Sequence, residues 1–430
     1  MSQKNFQAPK GTYDILPQDQ VYWDKVKKTI KNFAEDYGFQ RIDTPIIEDT
    51  DLFARGIGLV TDIVEKEMYS LKTKGGDELT LRPEGTAGVV RAFIENGLIN
   101  LPQPVKLYYV GPMFRYEQPQ AGRFRQFYQF GAEIFGSKEA AMDAQVILFF
   151  FRFIQELGIK NINVQINSIG CPSCRPAYRK VLLDFYRSRG KRLCSDCQIR
   201  LKANPLRMLD CKNEKCQTIS KEVPGMVDYL CEECRMHFKS LLEFLDELGL
   251  PYFLNRNLVR GLDYYTKTVF EIWPETEKSE DKPKAQIALA GGGRYDGLMK
   301  LLGGKDMPAI GCAMGMERVI TLLKTREIKS TTPAPSIFLV QLGALAKKKG
   351  LKLFDELQRE NVSLAESLSR DSIKSQLKIA DKLGAKFALI LGQQEALEET
   401  IIIRDMISGV QETVPLEKII ALVKKKIKGN

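Results

Sequence analysis

No apolar run in the 430-residue sequence comes near the roughly 20 residues needed to cross a bilayer. The longest, Val146 to Phe151 continuing past Arg152 to Ile154, ends well short, so no membrane segment is expected. The opening stretch MSQKNFQAPKGTYDILP lacks an apolar core and a small-residue cleavage site; a secretory signal is not expected, and a cytoplasmic location is. Internal repeats and low-complexity tracts are missing too. With 44% hydrophobic, 27% charged and 9% aromatic residues, the collagen-like, disordered and small disulfide-scaffold classes fall away. At roughly 100–200 residues per domain the length fits two to four domains.

What is present is a modest excess of positive charge, 64 basic against 54 acidic side chains, a net +10. Residues 171–254 hold 15 basic and 11 acidic side chains and residues 336–430 hold 16 and 12, so these two segments, at +4 each, supply +8 of it. Such a bias suits a polyanionic partner such as nucleic acid, although solvated lysine-rich faces produce it as well.

Apolar spacing predicts a helix from about Gln18 to Tyr37, with Val21, Val26, Ile30 and Phe33 on one side and Gly38 as the stop. Leu79 to Leu81 and Val105 to Gly136 read with period two, the latter as an antiparallel hairpin around QPQAGR. Strands return at Val269 to Trp273 and Ala285 to Ala290, separated by PETEKSEDKPK, which reads as a solvated hairpin tip. AIGCAMGMERVITLL reads as a strand passing into a helix. REIKSTTPAPS, 326–336, has the composition of a linker. Beyond it, Ser336 to Leu342, Ala385 to Leu391 and Thr400 to Met406 read as strands, with helices near 346–360, 372–383 and 415–427. That βαβ rhythm predicts a small α/β domain with a mostly parallel sheet. The expected division is 1–170 with 255–325 as a catalytic-type domain, 171–254 as an inserted cysteine-rich domain, 326–335 as linker and 336–430 as a C-terminal domain.

In the hairpin, alternation puts Arg125, Gln129 and Glu133 on one face, and Arg115 closes the first strand. A wet sheet face is the bland reading. The aromatic surroundings instead suit a floor that binds charge and excludes water, with a phosphate against Arg115 and a cationic or amide-like ligand against Glu133. In LTLRPEGTAG, Glu84 and Thr86 follow a strand through Pro83 towards a helix start, where the dipole favours a carboxylate. RGLDYYT supplies Arg260, Tyr264 and Tyr265. AGGGRYDGL supplies Gly291, Gly292 and Gly293, read as a tight turn, followed by Tyr295. GMERV supplies Arg318.

The order and wording of these segments together resemble the histidyl-tRNA synthetases, a family of class II aminoacyl-tRNA synthetases. The carrying stretches are PKGTYDILP, TPIIEDTDLFARGIG, LRPEGTAG, the FRYE and GRFRQFYQFGAEIFG arms of the hairpin, VRGLDYYT, AGGGRYDGL, GMERV and DSIKSQLKIADKLGA, so nearly the whole chain is covered. The resemblance implies an α+β class II catalytic domain with a mixed, mainly antiparallel sheet and flanking helices, a helical cysteine-rich insertion and a C-terminal α/β anticodon-binding domain. It also implies a homodimer with TPIIEDTDLFARG and the preceding helix at the interface. The implied reaction is that of a histidine–tRNA ligase: histidine and MgATP give histidyl-adenylate and pyrophosphate, and the histidyl group then passes to tRNA(His). By motif, Arg115, Arg260 and Arg318 are the catalytic arginines, and Arg115, Arg123 and Arg318 hold ATP. Glu84, Thr86 and Gln129 take the amino and carboxylate groups of the substrate, Glu133 and Tyr265 its ring nitrogens, and Tyr264 and Tyr295 line the pocket.

This sequence departs from the family pattern at Gln118, where the hairpin loop usually has arginine, and at Tyr128, commonly histidine. Both bear on reading of the tRNA acceptor end, not on activation. A histidine-binding paralogue, the regulatory subunit of ATP phosphoribosyltransferase, typically lacks the C-terminal domain and loses motif residues; Arg115, Arg260, Arg318 and residues 336–430 argue against it here.

Eight of the nine cysteines fall within residues 171–254, spaced Cys171-x2-Cys174-x19-Cys194-x2-Cys197 and Cys211-x4-Cys216-x14-Cys231-x2-Cys234. The first half has zinc-ribbon spacing and the second a looser version, and cytosolic thiols in pairs mean metal more often than disulfides. Structural Zn2+ is one reading and reduced, packed thiols the other. The spacing allows two tetrahedral sites, grouped sequentially or interleaved. His237, three residues after Cys234, is either a substitute ligand or an exposed helix position, and Cys312 reads as a small buried hydrophobe. A zinc-dependent nucleic-acid-binding module without enzymatic activity would explain the insert and the charge but leaves the arginine and carboxylate motifs idle.

Overall fold

The structure, a computed structural model, describes residues 5–58, 61–118, 122–275, 288–325 and 334–428. The chain divides into two compact units, Met1–Ser330 and Thr331–Asn430.

In the first unit the strands are β1 (Gln40–Arg41), β2 (Ile47–Asp49), β3 (Tyr69–Lys72), β4 (Glu78–Leu81), β5 (Val105–Phe114), β6 (Gln126–Phe135), β7 (Ile162–Ser168), β8 (Tyr252–Leu254), β9 (Thr266–Pro274), β10 (Ala290–Arg294) and β11 (Ala309–Gly315). The helices are α1 (Pro17–Asp36), α2 (Thr50–Ile57), α3 (Thr86–Glu95), α4 (Ala140–Glu156), α5 (Arg175–Arg187), α6 (Ser195–Ala203), α7 (Glu214–Ser220), α8 (Glu232–Glu247), α9 (Leu298–Leu301) and α10 (Met316–Thr325). Eight strands form one sheet in the order β1-β5-β6-β11-β10-β9-β7-β8. It is antiparallel apart from the parallel edge pairs β1 with β5 and β7 with β8. The remaining three strands form a small antiparallel sheet, β2-β4-β3.

Alternation sorts the large sheet into two unlike faces. Phe130, Ala132 and Ile134 on β6, Ile310, Cys312 and Met314 on β11, and Phe270 and Ile272 on β9 join one apolar core with α1, α4, α8 and α10. α1 offers Trp23, Val26, Ile30 and Ala34 at helical spacing, with Pro17 at its first turn, where the missing N–H costs nothing. α4 is apolar nearly all round and buries Phe149, Phe150, Phe151 and Phe153, each stabilising the fold by about 1.5–3 kcal/mol. The opposite face carries Gln129, Gly131 and Glu133 on β6, Gly311, Ala313 and Gly315 on β11, and Gly291 and Gly293 on β10. Across it, Glu133 pairs with Gly311 and Gly311 with Gly293, while Gly131 pairs with Ala313, Ala313 with Gly291 and Gly291 with Glu271. A face with so little side-chain volume leaves a hollow above the sheet.

The AGGG run is therefore not the tight turn expected from its composition. It lies inside a central strand, where a Cβ on Gly292 would meet the Gly311 carbonyl and the Cys312 backbone on β11. The expected strand Ala285 to Ala290 meets the structure only at its end, and the charged stretch read as a hairpin tip falls mostly on residues 276–287, outside the described residues. So does most of the linker reading, at 326–333.

Behind the sheet sits a buried ionic group. The fully buried Asp143 on α4 accepts from Arg294 Nε at 2.9 Å and from His237 Nε2 on α8 at 2.9 Å, and Arg294 Nη2 lies 2.7 Å away. Arg294 also donates to the carbonyls of Ser137 and Glu139 and to Asp296. Burial works against the Asp143 charge, but the His237 bond and the Arg294 charge outweigh it and hold its pKa below the usual range. His237 is thus neither a metal ligand nor an exposed helix residue; α8 packs it inward beside Phe238, Leu241 and Leu245.

Residues 174–234 contribute a small core of their own, in which Tyr178, Leu182, Tyr186, Met208, Ile219 and Met226 surround the cysteines.

The second unit runs β12 (Ile337–Gln341), α11 (Ala344–Arg359), β13 (Leu364–Glu366), α12 (Ile373–Lys382), β14 (Phe387–Leu391), α13 (Gln393–Leu397), β15 (Thr400–Asp405), β16 (Gln411–Pro415) and α14 (Ile419–Lys428). Its sheet, β13-β12-β14-β15-β16, is mixed and not mostly parallel. β12 pairs in parallel with β13 and β14, whereas β14, β15 and β16 are antiparallel. The reason is local: Asp405 accepts from the N–H groups of Ile407 and Ser408 and Gly409 takes φ +75°, which turns the chain straight back as a hairpin. Among the described residues no helix is long and apolar enough to cross a membrane.

Removing one partner of the buried pair strands the other charge. Asp143→Ala should cost about 3–5 kcal/mol in urea unfolding at neutral pH; a loss below about 1 kcal/mol would mean that the Arg294 charge is satisfied without it.

Candidate active site

The hollow above the glycine-rich face is a cavity of about 180 Å³. Its floor holds Gln129 and Glu133, one wall carries Glu84 and Thr86 at the start of α3, and another carries Tyr264, Tyr265 and Tyr295. Arg115, Arg123, Arg260 and Arg318 gather towards the other end. All eleven residues singled out by motif reach this one cavity.

The carboxylate end is deeply buried. Glu133 accepts from Thr86 Oγ1 at 2.9 Å and from the Tyr295 hydroxyl at 2.5 Å. Burial pushes its pKa up to about 8 against the pull of those two donors. The group fits because Gly311 faces it: a Cβ there would collide with the Glu133 carboxylate. Glu84 spends both oxygens on the first N–H groups of α3, those of Thr86 and Ala87, each at 2.7 Å. Burial raises its pKa despite those bonds. A carboxylate has about four lone-pair sites, so acceptor capacity remains on Glu84 for a ligand. The Gln129 carbonyl oxygen is buried with no hydrogen-bond partner among the described residues, an acceptor left open at the floor.

The arginine end carries an excess of positive charge. Arg115 is held by the Pro83 carbonyl at 2.8 Å and lies 5.4 Å over the Phe127 ring. Arg123 pairs with Glu117 at 3.0 Å. Arg260 pairs with Glu271 on β9 and sits over Gly291, whose Cβ would come within 2.5 Å of its guanidinium. Burial disfavours the Arg260 charge, but Glu271 overrides this and keeps it cationic, while its Nε has no partner among the described residues. Among the described residues, Arg318 bonds only carbonyl oxygens, of Ala288 at 2.8 Å and Gly122 at 3.4 Å. Burial and the nearby Arg115 and Arg123 lower its pKa. Four guanidinium groups against Glu117 and Glu271 make a seat for a polyanion.

Three carboxylates here were not singled out from sequence. Glu117 is visible in FRYE, and Glu271 stands out as an acid in an otherwise apolar strand. Glu317 accepts from Tyr13 and from the Tyr128 N–H, and burial pushes its pKa up to about 7. Arg125, expected beside Gln129, instead precedes β6 and lies 3.9 Å over the Tyr116 ring. Tyr128 points to the other side of the sheet, edge-on to Trp23, and Gln118 is exposed.

The eight clustered cysteines form two nested groups. Cys171, Cys174, Cys231 and Cys234 make the outer one, and Cys194, Cys197, Cys211 and Cys216 the inner one, with all sulfurs of a group within 4.8 Å of one another. Sulfur separations of 3.6 Å (Cys171 to Cys174), 3.9 Å (Cys171 to Cys231) and 3.7 Å (Cys194 to Cys211) are far from a disulfide. They approximate the edge of a thiolate tetrahedron, about 3.8 Å for a Zn–S bond of about 2.3 Å. Backbone N–H groups of Cys231 and Cys194 point at the sulfurs of Cys174 and Cys216. The donor set fits a soft tetrahedral ion.

A family model described as histidyl-tRNA synthetase matches residues 11–173 and 201–319, and one described as anticodon binding domain matches residues 337–426. Among curated relatives, a histidine–tRNA ligase of Dehalococcoides mccartyi is 47% identical over 98% of this chain and 100% of its own. That of Acetivibrio thermocellus is 45% identical over 97% and 99%. The apo histidyl-tRNA synthetase of S. aureus superposes with a TM-score of 0.80 at 36% identity, covering 98% of this chain and 100% of that one. A Bacillus halodurans protein described as an ATP phosphoribosyltransferase regulatory subunit/histidyl-tRNA synthetase covers 91% and 99% at a TM-score of 0.63; at 18% identity it speaks for the fold alone.

Because Glu133 takes up its proton more readily when folded than at the usual carboxylate value of 4.5, its contribution to stability is whole below that value and fades as pH rises towards about 8. Glu133→Gln should therefore gain in melting temperature relative to the unliganded wild type between about pH 5 and about pH 9. A constant difference across that range would mean that Glu133 is ionised throughout.

Proposed function

The chain belongs to the histidyl-tRNA synthetase family and its reaction is the ATP-dependent joining of histidine to tRNA, from which we propose a division of labour among the cavity residues. The single observation that supports it best is the two-ended cavity, with buried carboxylate and tyrosines at one end and converging arginines at the other.

Histidine lies at the carboxylate end. Its ring N–H donates to Glu133, a demand that few other small amino acids can meet, and a ligand without that donor leaves Glu133 unpaired in a dry site. Tyr265 serves the ring, and Tyr264 and Tyr295 close around it. The α-ammonium is taken by Glu84 and by the open acceptor of Gln129, with Thr86 beside them. ATP enters as its magnesium complex, the ion being part of that substrate and requiring oxygen ligands, for which Glu117 and Glu271 are the carboxylates at the phosphate end. Arg115, Arg123 and Arg318 hold the triphosphate.

In the first step an oxygen of the histidine carboxylate forms a bond to the α-phosphorus as the bond to the bridging oxygen breaks, and pyrophosphate leaves with the electron pair. Negative charge builds on the α-phosphoryl oxygens. Arg115 and Arg260 are the groups positioned to meet it, and Arg260 is preorganised by Glu271. No protein base is needed, since the nucleophile is already ionised. In the second step a ribose hydroxyl of the tRNA terminus attacks the carbonyl carbon and AMP departs. Residues 337–426 supply the anticodon-binding domain, and the excess of charge in both peripheral segments favours a polyanion.

Two nested Zn2+ ions held by the outer and inner cysteine groups would give residues 171–234 the rigidity that so small a core lacks, without taking part in the chemistry. The working form is a cytoplasmic homodimer. What supports the interface is the exposure of Ile46 and Ile47 in TPIIEDTDLFARG and of Leu71 on β3, two strands away in the small sheet β2-β4-β3.

The test is histidine-dependent exchange of pyrophosphate into ATP. Arg260→Ala should lower its kcat by about 10²–10³-fold with histidine KM changed by less than about threefold. Equal losses in both parameters would remove Arg260 from the transition state.

A further inference from the structure

Arg260, Tyr264 and Tyr265 all lie in one short irregular segment between β8 and β9, and that segment has little of its own to hold it. Among the described residues, the backbone from Val259 to Tyr265 makes three hydrogen bonds to the rest of the chain. Asp263 N–H donates to the Ile57 carbonyl at 2.9 Å. The other two are received from arginines of the cysteine-rich region: Arg207 Nη2 donates to the Gly261 carbonyl at 2.6 Å, and Arg175 Nη2 donates to the Tyr265 carbonyl.

Each of these arginines is built into one cysteine group. Arg175 follows Cys174 directly, opens α5 and donates its Nε to the Ile169 carbonyl, so the outer group fixes where its side chain begins. Arg207 sits on the turn 205–210 that joins α6 to Cys211, inside the span closed by Cys194, Cys197, Cys211 and Cys216. Its Nε donates to Asp263 Oδ1 at 3.3 Å, and Asn204 Nδ2 donates to the same oxygen at 3.1 Å. Around Arg175 and Arg207 the cysteine-rich region has only its small core, in which Tyr178, Leu182, Met208 and Met226 pack with the cysteines, to hold two long side chains in place.

We propose that the two cysteine groups, when metal-loaded, are clamps on the histidine-reading segment: Arg175 and Arg207 are positioning residues, and metal occupancy sets how well ordered Arg260, Tyr264 and Tyr265 are. The inference rests on the reading of that segment as part of the histidine site. A segment held at Gly261 and Tyr265 presents its arginine and tyrosines in one geometry; released from either, it samples others, and a site loosened by about 1 Å loses much of its catalytic advantage. The ATP-holding residues Arg115, Arg123 and Arg318 stand on other elements and are not released with it.

The test uses the full-length protein purified under reducing conditions. Metal content, hydrogen–deuterium exchange over residues 258–266, and separate KM values for histidine and ATP in pyrophosphate exchange are measured for wild type, wild type stripped by a zinc chelator, Arg207→Leu, Arg207→Lys and Arg175→Leu. Two zinc ions per chain are expected. Stripping, Arg207→Leu and Arg175→Leu should each speed exchange over 258–266 and raise histidine KM about tenfold, with ATP KM changed by less than about twofold, and Arg207→Lys should recover part of the loss. The arginine variants should keep both ions, so a collapse of the cysteine-rich region would be detected by its metal loss and Arg207→Lys would then carry the comparison. The proposal is overturned if stripping leaves the exchange of 258–266 unchanged, if the chain carries and takes up no zinc, or if both KM values move together. Should wild type show no histidine-dependent activity at all, the reading of the site fails, while exchange over 258–266 with and without zinc still decides whether the clamps exist.

Discussion

A buried carboxylate in the middle of a sheet face is costly, and the architecture of the first unit is arranged around keeping one there. Glu133 can stand upright from β6 only because its cross-strand neighbour on β11 is Gly311. It stays hydrogen-bonded because α3 brings Thr86 and β10 leads into Tyr295 on either side of it. The same device recurs where Arg260 lies over Gly291. Missing side chains on β10 and β11 make the hollow, and the few long side chains allowed into it are carboxylates, tyrosines and arginines.

That economy on one face requires stiffness on the other. Phe130, Ile134, Ile310 and Met314 pack into the aromatic core of α4, so the strands bearing Gln129, Glu133 and Gly311 cannot drift apart. The buried Asp143, Arg294 and His237 group ties α4, β10 and α8 together directly behind Tyr295. α8 begins at the outer cysteine group, so one helix is anchored at one end by thiols and further along by the chain's single histidine. The side of the site without such backing, from Val259 to Tyr265, is the one gripped by Arg175 and Arg207.

Much of this was legible in the residues. Arg115, Glu133 and Arg318 stand in strand or helix-start segments whose alternation is clean, and Glu84 before Thr86 announces a helix start; local pattern and global position agree there. What was hidden depends on partners far away in sequence. Three consecutive glycines signal a turn to a local reading, yet Gly292 is required by Gly311 and Cys312 on a neighbouring strand. His237 looked solvent-facing because its acceptor, Asp143, is 94 residues away. Cysteine spacing permits sequential or interleaved grouping, and only the packing of α8 against the turn after β7 pairs the first two cysteines with the last two. In the second unit a hairpin closed by Asp405 and Gly409 changed the sheet from parallel to mixed.

The central claim is that an absent Cβ makes room for the carboxylate that reads histidine, and calorimetric titration of histidine into Gly311→Ala tests it most directly. The account predicts that the variant, folded by circular dichroism and still binding ATP, loses at least about tenfold in histidine affinity, because the methyl group displaces the Glu133 carboxylate from its position between Thr86 and Tyr295. Wild-type affinity for histidine in Gly311→Ala would contradict it and take Glu133 out of the recognition of the ring.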